Sequence, residues 1–277
     1  MKTPTKIKTK KNIKSLISTI ILLFVCHLNA QYQTATNQVS TFELAAPELQ
    51  TTKKIWIYLP KNYQTTKKKY NVIYMLDAQN LFDTKTSFAG EWQIDETLDS
   101  LNAQTIVVGI EHGNQKRIEE LTPFSNPKYG GGKADMYLEF IVKTLKPHID
   151  LMYRTKKDSK NTTIFGSSLG GSFSLYAMLR YPKVFGKIGV FSPAFWINPE
   201  LYELLKMAPK LKNKCYFLCG DAESEDMVLD LNKMYQLLDK NRCSCLHLSK
   251  KVIIKGGQHN EKLWRNGFAN AYLWLMS

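Results

Sequence analysis

The chain has 277 residues, 44% of them apolar and 22% charged, with a formal net charge of +14. Those values are ordinary for a folded soluble domain and exclude a disordered, collagen-like or low-complexity chain. Part of the charge is local: six lysines fall within residues 1–14, and setting them aside leaves 32 basic against 24 acidic residues, a net of +8. The other lysines are scattered apart from short runs such as Lys67-Lys68-Lys69. No zinc-finger spacing or RNA-binding signature accompanies them, so a solvated surface is expected and no nucleic-acid partner.

Residues 1–30 read as a secretory signal peptide: a lysine-rich head, a short apolar run over 16–25, and a small residue, Ala30, at the expected cut. An apolar run of about ten residues is too short to span a bilayer. Val25 before Cys26 argues against a lipid-anchored cysteine. The expectation is an exported chain, periplasmic or extracellular, with one domain over 31–277 and no stable membrane insertion.

An edge strand is expected from Thr41 to Leu49, and a second over Lys54–Leu59, stopped by Pro60. Continuous apolar runs of strand length follow at Asn71–Leu76, Thr105–Ile110, Thr162–Phe165, Lys187–Phe191, Cys215–Leu218 and Val252–Ile254. Such runs suit strands buried on both faces of a parallel sheet. Helical patterns lie between them. Leu138, Ile141, Val142, Leu145 and Ile149 share one face, and Pro147 should kink or shorten that helix. Ser172–Arg180, Met227–Lys240 and Asn260–Met276 are further helices. Alternating strands and helices predict a mostly parallel central sheet with helices on both faces. Residues 111–134, with Gly113, Pro123, Pro127 and Gly130-Gly131-Gly132, form a long connection, the expected rim of a cleft.

Gly166-Ser167-Ser168-Leu169-Gly170 matches G-x-S-x-G, between an apolar strand and a helix. That context makes Ser168 a candidate nucleophile on a sharp turn, with glycines where side chains would collide with neighbouring backbone. A serine needs a base. His259, in the loop Gly256-Gly257-Gln258-His259-Asn260 before the last helix, is preferred over His112, His148 and His247. The acid should follow the strand at Cys215–Leu218, where Asp221, Glu223, Glu225 and Asp226 all qualify by position. The Leu169 amide, at a helix N-terminus, is one expected oxyanion donor, and the Gln79 amide is the other, with Ala78 next. Trp196 and Trp264 are candidates for the substrate pocket. Cys215, Cys219, Cys243 and Cys245 allow three pairings or buried free thiols, and their spacing fits zinc poorly.

Together these pieces resemble the Putative esterase family of α/β-hydrolases, which includes enterochelin-esterase-like and feruloyl-esterase-like proteins. The resemblance rests on Tyr74–Phe82, Trp92-Gln93-Ile94-Asp95, Val108-Gly109-Ile110, Glu120-Leu121-Thr122-Pro123, Gly166–Gly171, Ser192-Pro193-Ala194-Phe195-Trp196 and Gly256–Asn260. It covers about residues 50–275 and implies an α/β-hydrolase fold and a serine esterase that needs neither cofactor nor metal. The substrate would be a small-molecule or glycan-linked ester. The family's Gly-x-x-Glu setting implies Glu223 as the acid, with Asp221 as runner-up. Ala78 stands where the family usually has glycine. No room is expected for the extra N-terminal domain of the enterochelin-type enzymes. The competing expectation is a hydrolase-fold binding protein without activity, which the intact serine and histidine motifs oppose.

Overall fold

The computed structural model describes residues 33–242 and 248–277. Residues 1–30, expected to be a signal peptide, and Cys243, Cys245 and His247 lie outside the described residues.

Eight strands form one sheet. They are β1 (Val39–Ala46), β2 (Thr51–Tyr58), β3 (Asn71–Leu76), β4 (Thr105–Ile110), β5 (Thr162–Ser167), β6 (Lys187–Phe191), β7 (Lys214–Gly220) and β8 (Ser249–Ile254). Their order across the sheet is β1-β2-β4-β3-β5-β6-β7-β8. β1 and β2 pair antiparallel, as do β2 and β4, and every other pair is parallel. The edges β1 and β8 are largely exposed, while β4 and β5 are buried at every residue.

Successive side chains of a strand point to opposite faces, and both faces here are apolar. Val72, Tyr74 and Leu76 of β3 enter one core, while Ile73 and Met75 enter the other. The second core holds an aromatic stack. Phe165 meets Phe191 at 4.8 Å, Phe191 meets Trp92 at 5.9 Å, and Trp92 meets Trp264 at 5.7 Å. Full burial of each such side chain stabilises the fold by roughly 1.5–3 kcal/mol.

The helices are α1 (Ile94–Ser100), α2 (Arg117–Leu121), α3 (134–152), α4 (Leu169–Arg180), α5 (Glu200–Met207), α6 (Met227–Lys240) and α7 (Glu261–Met276). α3 does not stop at Pro147. Its middle, Phe140–Leu145, widens to a π-helix and the α form resumes at Lys146. A proline lacks the N–H that would bond four residues back, and the wider turn just before Pro147 absorbs that loss. Leu138, Ile141, Leu145 and Ile149 are buried as their spacing predicts, and Val142 is half-buried. Cys215 and Cys219 are buried on β7 and form no disulfide among the described residues; burial pushes the first up to about 11 and the second up to about 12. No helix among the described residues is long and apolar enough to cross a membrane.

Candidate active site

The carboxyl ends of six adjacent strands converge on one region: Asp77–Gln79 after β3, His112 after β4, Ser168 after β5, Ser192 after β6, Glu223 after β7 and His259 after β8. Open α/β sheets gather ligands beyond these ends. An open cavity of about 760 Å³ lies there, lined in part by Gln79, His112, Arg117, Ser168, His259 and Trp264.

Ser168 occupies the turn between β5 and α4 with φ 56° and ψ −122°. That conformation costs a non-glycine residue of order 1–3 kcal/mol and persists because the surroundings impose it. The Ser168 N–H donates to Phe191 O at 2.9 Å, and its carbonyl accepts from Ala194 N at 3.1 Å. The tight turn demands glycine at Gly166, where a Cβ would lie 2.7 Å from the Gly170 backbone. The second demand falls on Gly171, 2.7 Å from Phe191 O, whereas a Cβ at Gly170 would meet nothing closer than 3.4 Å. The last glycine of the five-residue pattern is thus less constrained than the residue after it.

Glu223 is the acid that reaches His259. Its Oε2 lies 2.6 Å from His259 Nδ1, and its side chain is 1% exposed. Its Oε1 accepts from Gly220 N at 2.5 Å and from Ser192 Oγ at 2.7 Å. Ser192 Oγ in turn accepts from the Trp264 indole N–H at 2.8 Å. The Trp264 ring also packs perpendicular to the His259 imidazole, 5.1 Å between centroids. The imidazole is therefore held twice by one chain of contacts, through its Nδ1 and through its packing on Trp264. Asp221 is engaged elsewhere and accepts from Gly256 N at 2.6 Å. That bond helps zip the loops after β7 and β8. They approach so closely that a Cβ on Gly220 would come within 2.1 Å of Gly257 O.

The other histidines separate by their surroundings. His112 lines the cavity, but its Nδ1 accepts from Asn114 N at 2.9 Å, and burial pulls its pKa below the ordinary value. His148 packs on Phe42, with 5.4 Å between ring centroids, and does not line this cavity. The helix cap beside His259 is Asn260, whose side chain accepts from Leu263 N. Among the described residues no hydrogen bond joins Ser168 Oγ to His259; without substrate such contacts are often long.

Asp77 turns the chain after β3 with φ 57°. Arg117 grips it through two hydrogen bonds of 2.7 Å, Nε to Oδ1 and Nη2 to Oδ2. Burial pushes the Asp77 carboxyl up, but the Arg117 charge and its hydrogen bonds outweigh that and hold it below the usual value. Two residues on, the Gln79 side chain donates to His112 O at 3.1 Å and accepts from His112 N at 3.4 Å. The start of the loop is thus held at two points, Asp77 and Gln79. Among the described residues neither the Gln79 nor the Leu169 main-chain amide donates to another protein group. Both remain available to an oxyanion.

Of the two tryptophans, Trp264 lines the cavity but is 6% exposed, and its N–H is committed to Ser192. Trp196 corrects the expectation: it does not line this cavity and stands 53% exposed against Tyr129. Motif reading missed Ser192 and Arg117. Ser192 sits in the Ser-Pro pair after β6 with φ 43°, which reads locally as an ordinary turn.

The sheet order, the serine turn and the carboxylate–histidine pair define an α/β-hydrolase. The family model described as "Putative esterase" matches residues 46–274, and the chain belongs to that family. It is a carboxylic-ester hydrolase. The Bacillus subtilis protein described as "Uncharacterized protein YbbA" is 25% identical over 242 residues, covering 80% of this chain and 92% of that one. The ferri-bacillibactin esterase BesA of the same organism is 31% identical over 148 residues, 47% of this chain and half of BesA. The crystal structure of BES protein from Bacillus cereus shares the fold, with a TM-score of 0.69, 21% identity, and 88% of this chain and 97% of that chain covered.

Proposed function

We propose that the protein is an exported serine esterase that works through an acyl-enzyme on Ser168. The observation that carries this reading is the buried Glu223 carboxylate, 2.6 Å from His259 Nδ1, with Ser168 lining the same cavity as His259. In the proposed cycle His259 Nε2 takes the Ser168 proton as Oγ attacks the ester carbonyl. The oxyanion is received by the Leu169 and Gln79 amides, with Leu169 at the positive end of the α4 dipole. Protonated His259 then gives its proton to the departing alcohol. Water, deprotonated by the same imidazole, releases the acid and restores Ser168. Glu223 holds the imidazole with Nδ1 protonated and stabilises its charged form.

The cavity is open and of a size that suits a small-molecule ester or the acyl group of a glycan. Export rests on the basic head and short apolar run of residues 1–30. Hydrolysis of a panel of short aryl esters, acetylated and feruloylated saccharides and a siderophore trilactone tests the reading. The expected result is turnover that Ser168→Ala removes. Equal rates for the two proteins would overturn it.

A further inference from the structure

The loop that carries Gln79 returns to the body of the protein through Glu91 and runs into α1. There the carboxylates of Glu91, Asp95 and Glu96 each place one oxygen within 4.8 Å of the others. The cluster is not a solvated surface group, since Glu91 is 3% exposed and Asp95 0%. Protein donors satisfy one oxygen of each of these two. Glu91 Oε2 accepts from Thr34 Oγ1 at 2.8 Å and Thr84 Oγ1 at 2.7 Å, and Asp95 Oδ2 accepts from Thr36 N at 2.7 Å. The remaining oxygens, Glu91 Oε1, Asp95 Oδ1 and Glu96 Oε2, are buried and receive no hydrogen bond from a donor outside the cluster among the described residues; burial first, and then a hydrogen bond shared with Asp95, pushes the Glu96 carboxyl up to about 8. Thr36 Oγ1, next to the amide that bonds Asp95, is likewise buried with no hydrogen-bond partner among the described residues.

No lysine or arginine pairs with these carboxylates among the described residues. The nearby Arg265 is turned to the Glu91 main-chain oxygen, at 3.0 Å. Burying a carboxylate without a partner is costly, and gathering three multiplies the cost through like-charge repulsion. A divalent cation removes both penalties at once. The donors are all oxygen, with no histidine or thiol in the cluster, which selects a hard ion. Magnesium sheds its water reluctantly, whereas calcium accepts six to eight mixed oxygen ligands in flexible geometry.

We propose that Glu91, Asp95 and Glu96 form a calcium-type divalent-cation site. It lies apart from the Ser168–His259 groups and takes no part in the chemistry. Its effect is mechanical. Thr34 also bonds Asp83 and Thr84, so the cation fastens residues 34–36 to the base of the 77–92 loop and to the start of α1. That loop carries Gln79 at one end and the cavity-lining Thr86–Ala89 in its middle.

Thermal melts and calorimetry on the chelator-stripped, dialysed protein test the site with calcium chloride alone, against potassium chloride at matched ionic strength. Calcium should raise Tm saturably, by about 5–10 °C at roughly a hundredfold excess over its Kd, with one-site binding heat. Asp95→Asn and Glu96→Gln should each melt cooperatively and lose that response. Glu96 is only half-buried, so its variant carries the test should Asp95→Asn fail to fold. The proposal is overturned if calcium, magnesium and manganese give no saturable shift beyond potassium chloride, or if both variants respond like the parent. It is also overturned if the metal-free protein gains stability as the pH falls from about 8 to 6 with no response to cations. A proton shared among the carboxyls would then be doing the cation's work. None of these outcomes bears on ester hydrolysis.

Discussion

Two buried carboxylates flank the cavity, and they are held by opposite means. Asp77, after β3, is locked in a bidentate ion pair with Arg117. Glu223, after β7, has no full positive partner. A backbone amide, a serine hydroxyl and the His259 imidazole share its two oxygens. The difference separates two tasks. A carboxylate satisfied by a permanent cation fixes a loop and has no attraction left over. One satisfied by neutral donors is incompletely compensated and can favour positive charge when it develops on a neighbouring ring. The Asp77 side of the cavity is thus built to be rigid and the Glu223 side to respond.

Breaking the responsive side should have the largest effect on rate. Glu223→Gln keeps the shape but removes the charge and permits the wrong imidazole tautomer. The expected loss in kcat is about 10³–10⁴-fold with little change in KM, read by steady-state hydrolysis of an aryl ester. A loss under tenfold would transfer the role to another group.

Breaking the rigid side should show first in stability. Asp77→Asn leaves the Arg117 guanidinium with no carboxylate partner, and removal of one member of a buried pair costs about 3–5 kcal/mol. Denaturant unfolding of both proteins reads the difference. Its pH dependence identifies the pair. Asp77 is held below its ordinary value of 3.8, so its contribution is complete above that pH. The contribution is lost as the pH falls through the lowered value. The stability gap between the parent and Asp77→Asn should therefore be constant near neutrality and shrink below about pH 4.

Smaller changes sharpen the contrast. Ser192→Ala removes one donor to Glu223 and strands the buried Trp264 N–H. About a tenfold fall in kcat is expected, with about 1–3 kcal/mol lost in stability. Trp264→Phe tests the other link of the same chain, and its kcat should fall by a similar or smaller factor. Phe88, 96% exposed at the cavity rim, touches the least. Phe88→Ala should alter KM for bulky esters by no more than about threefold and leave kcat for small ones unchanged.

Much of this arrangement was legible in the amino-acid order. Strands β3, β4 and β6 begin and end where their apolar runs do, because strands buried on both faces carry an uninterrupted signal. That Ser168 and His259 would meet at one cavity was legible because each follows an apolar strand run and precedes a helix. The short helices α1, α2 and α5 were not: five to eight residues give too little periodicity to stand out. The acid was underdetermined by position, because Asp221 and Glu223 sit in one loop. What parts them is which loop residue faces inward, and that depends on contact with the loop after β8. Ser192 and the Arg117 grip on Asp77 join residues 31 and 40 apart in the chain from their partners. No local pattern encodes such pairs. Trp196 misled because an aromatic residue in a family motif is as easily a surface contact as a pocket wall.

The central claim is that Ser168 is the nucleophile, and direct labelling tests it. The protein would be treated with an aryl phosphonate ester that reacts with activated serine, then digested and mapped by mass spectrometry. One adduct per molecule on the peptide containing Ser168 is expected, formed in step with loss of esterase activity and absent from Ser168→Ala. Full inactivation with the adduct on any other residue, or undiminished hydrolysis by Ser168→Ala, would contradict the account.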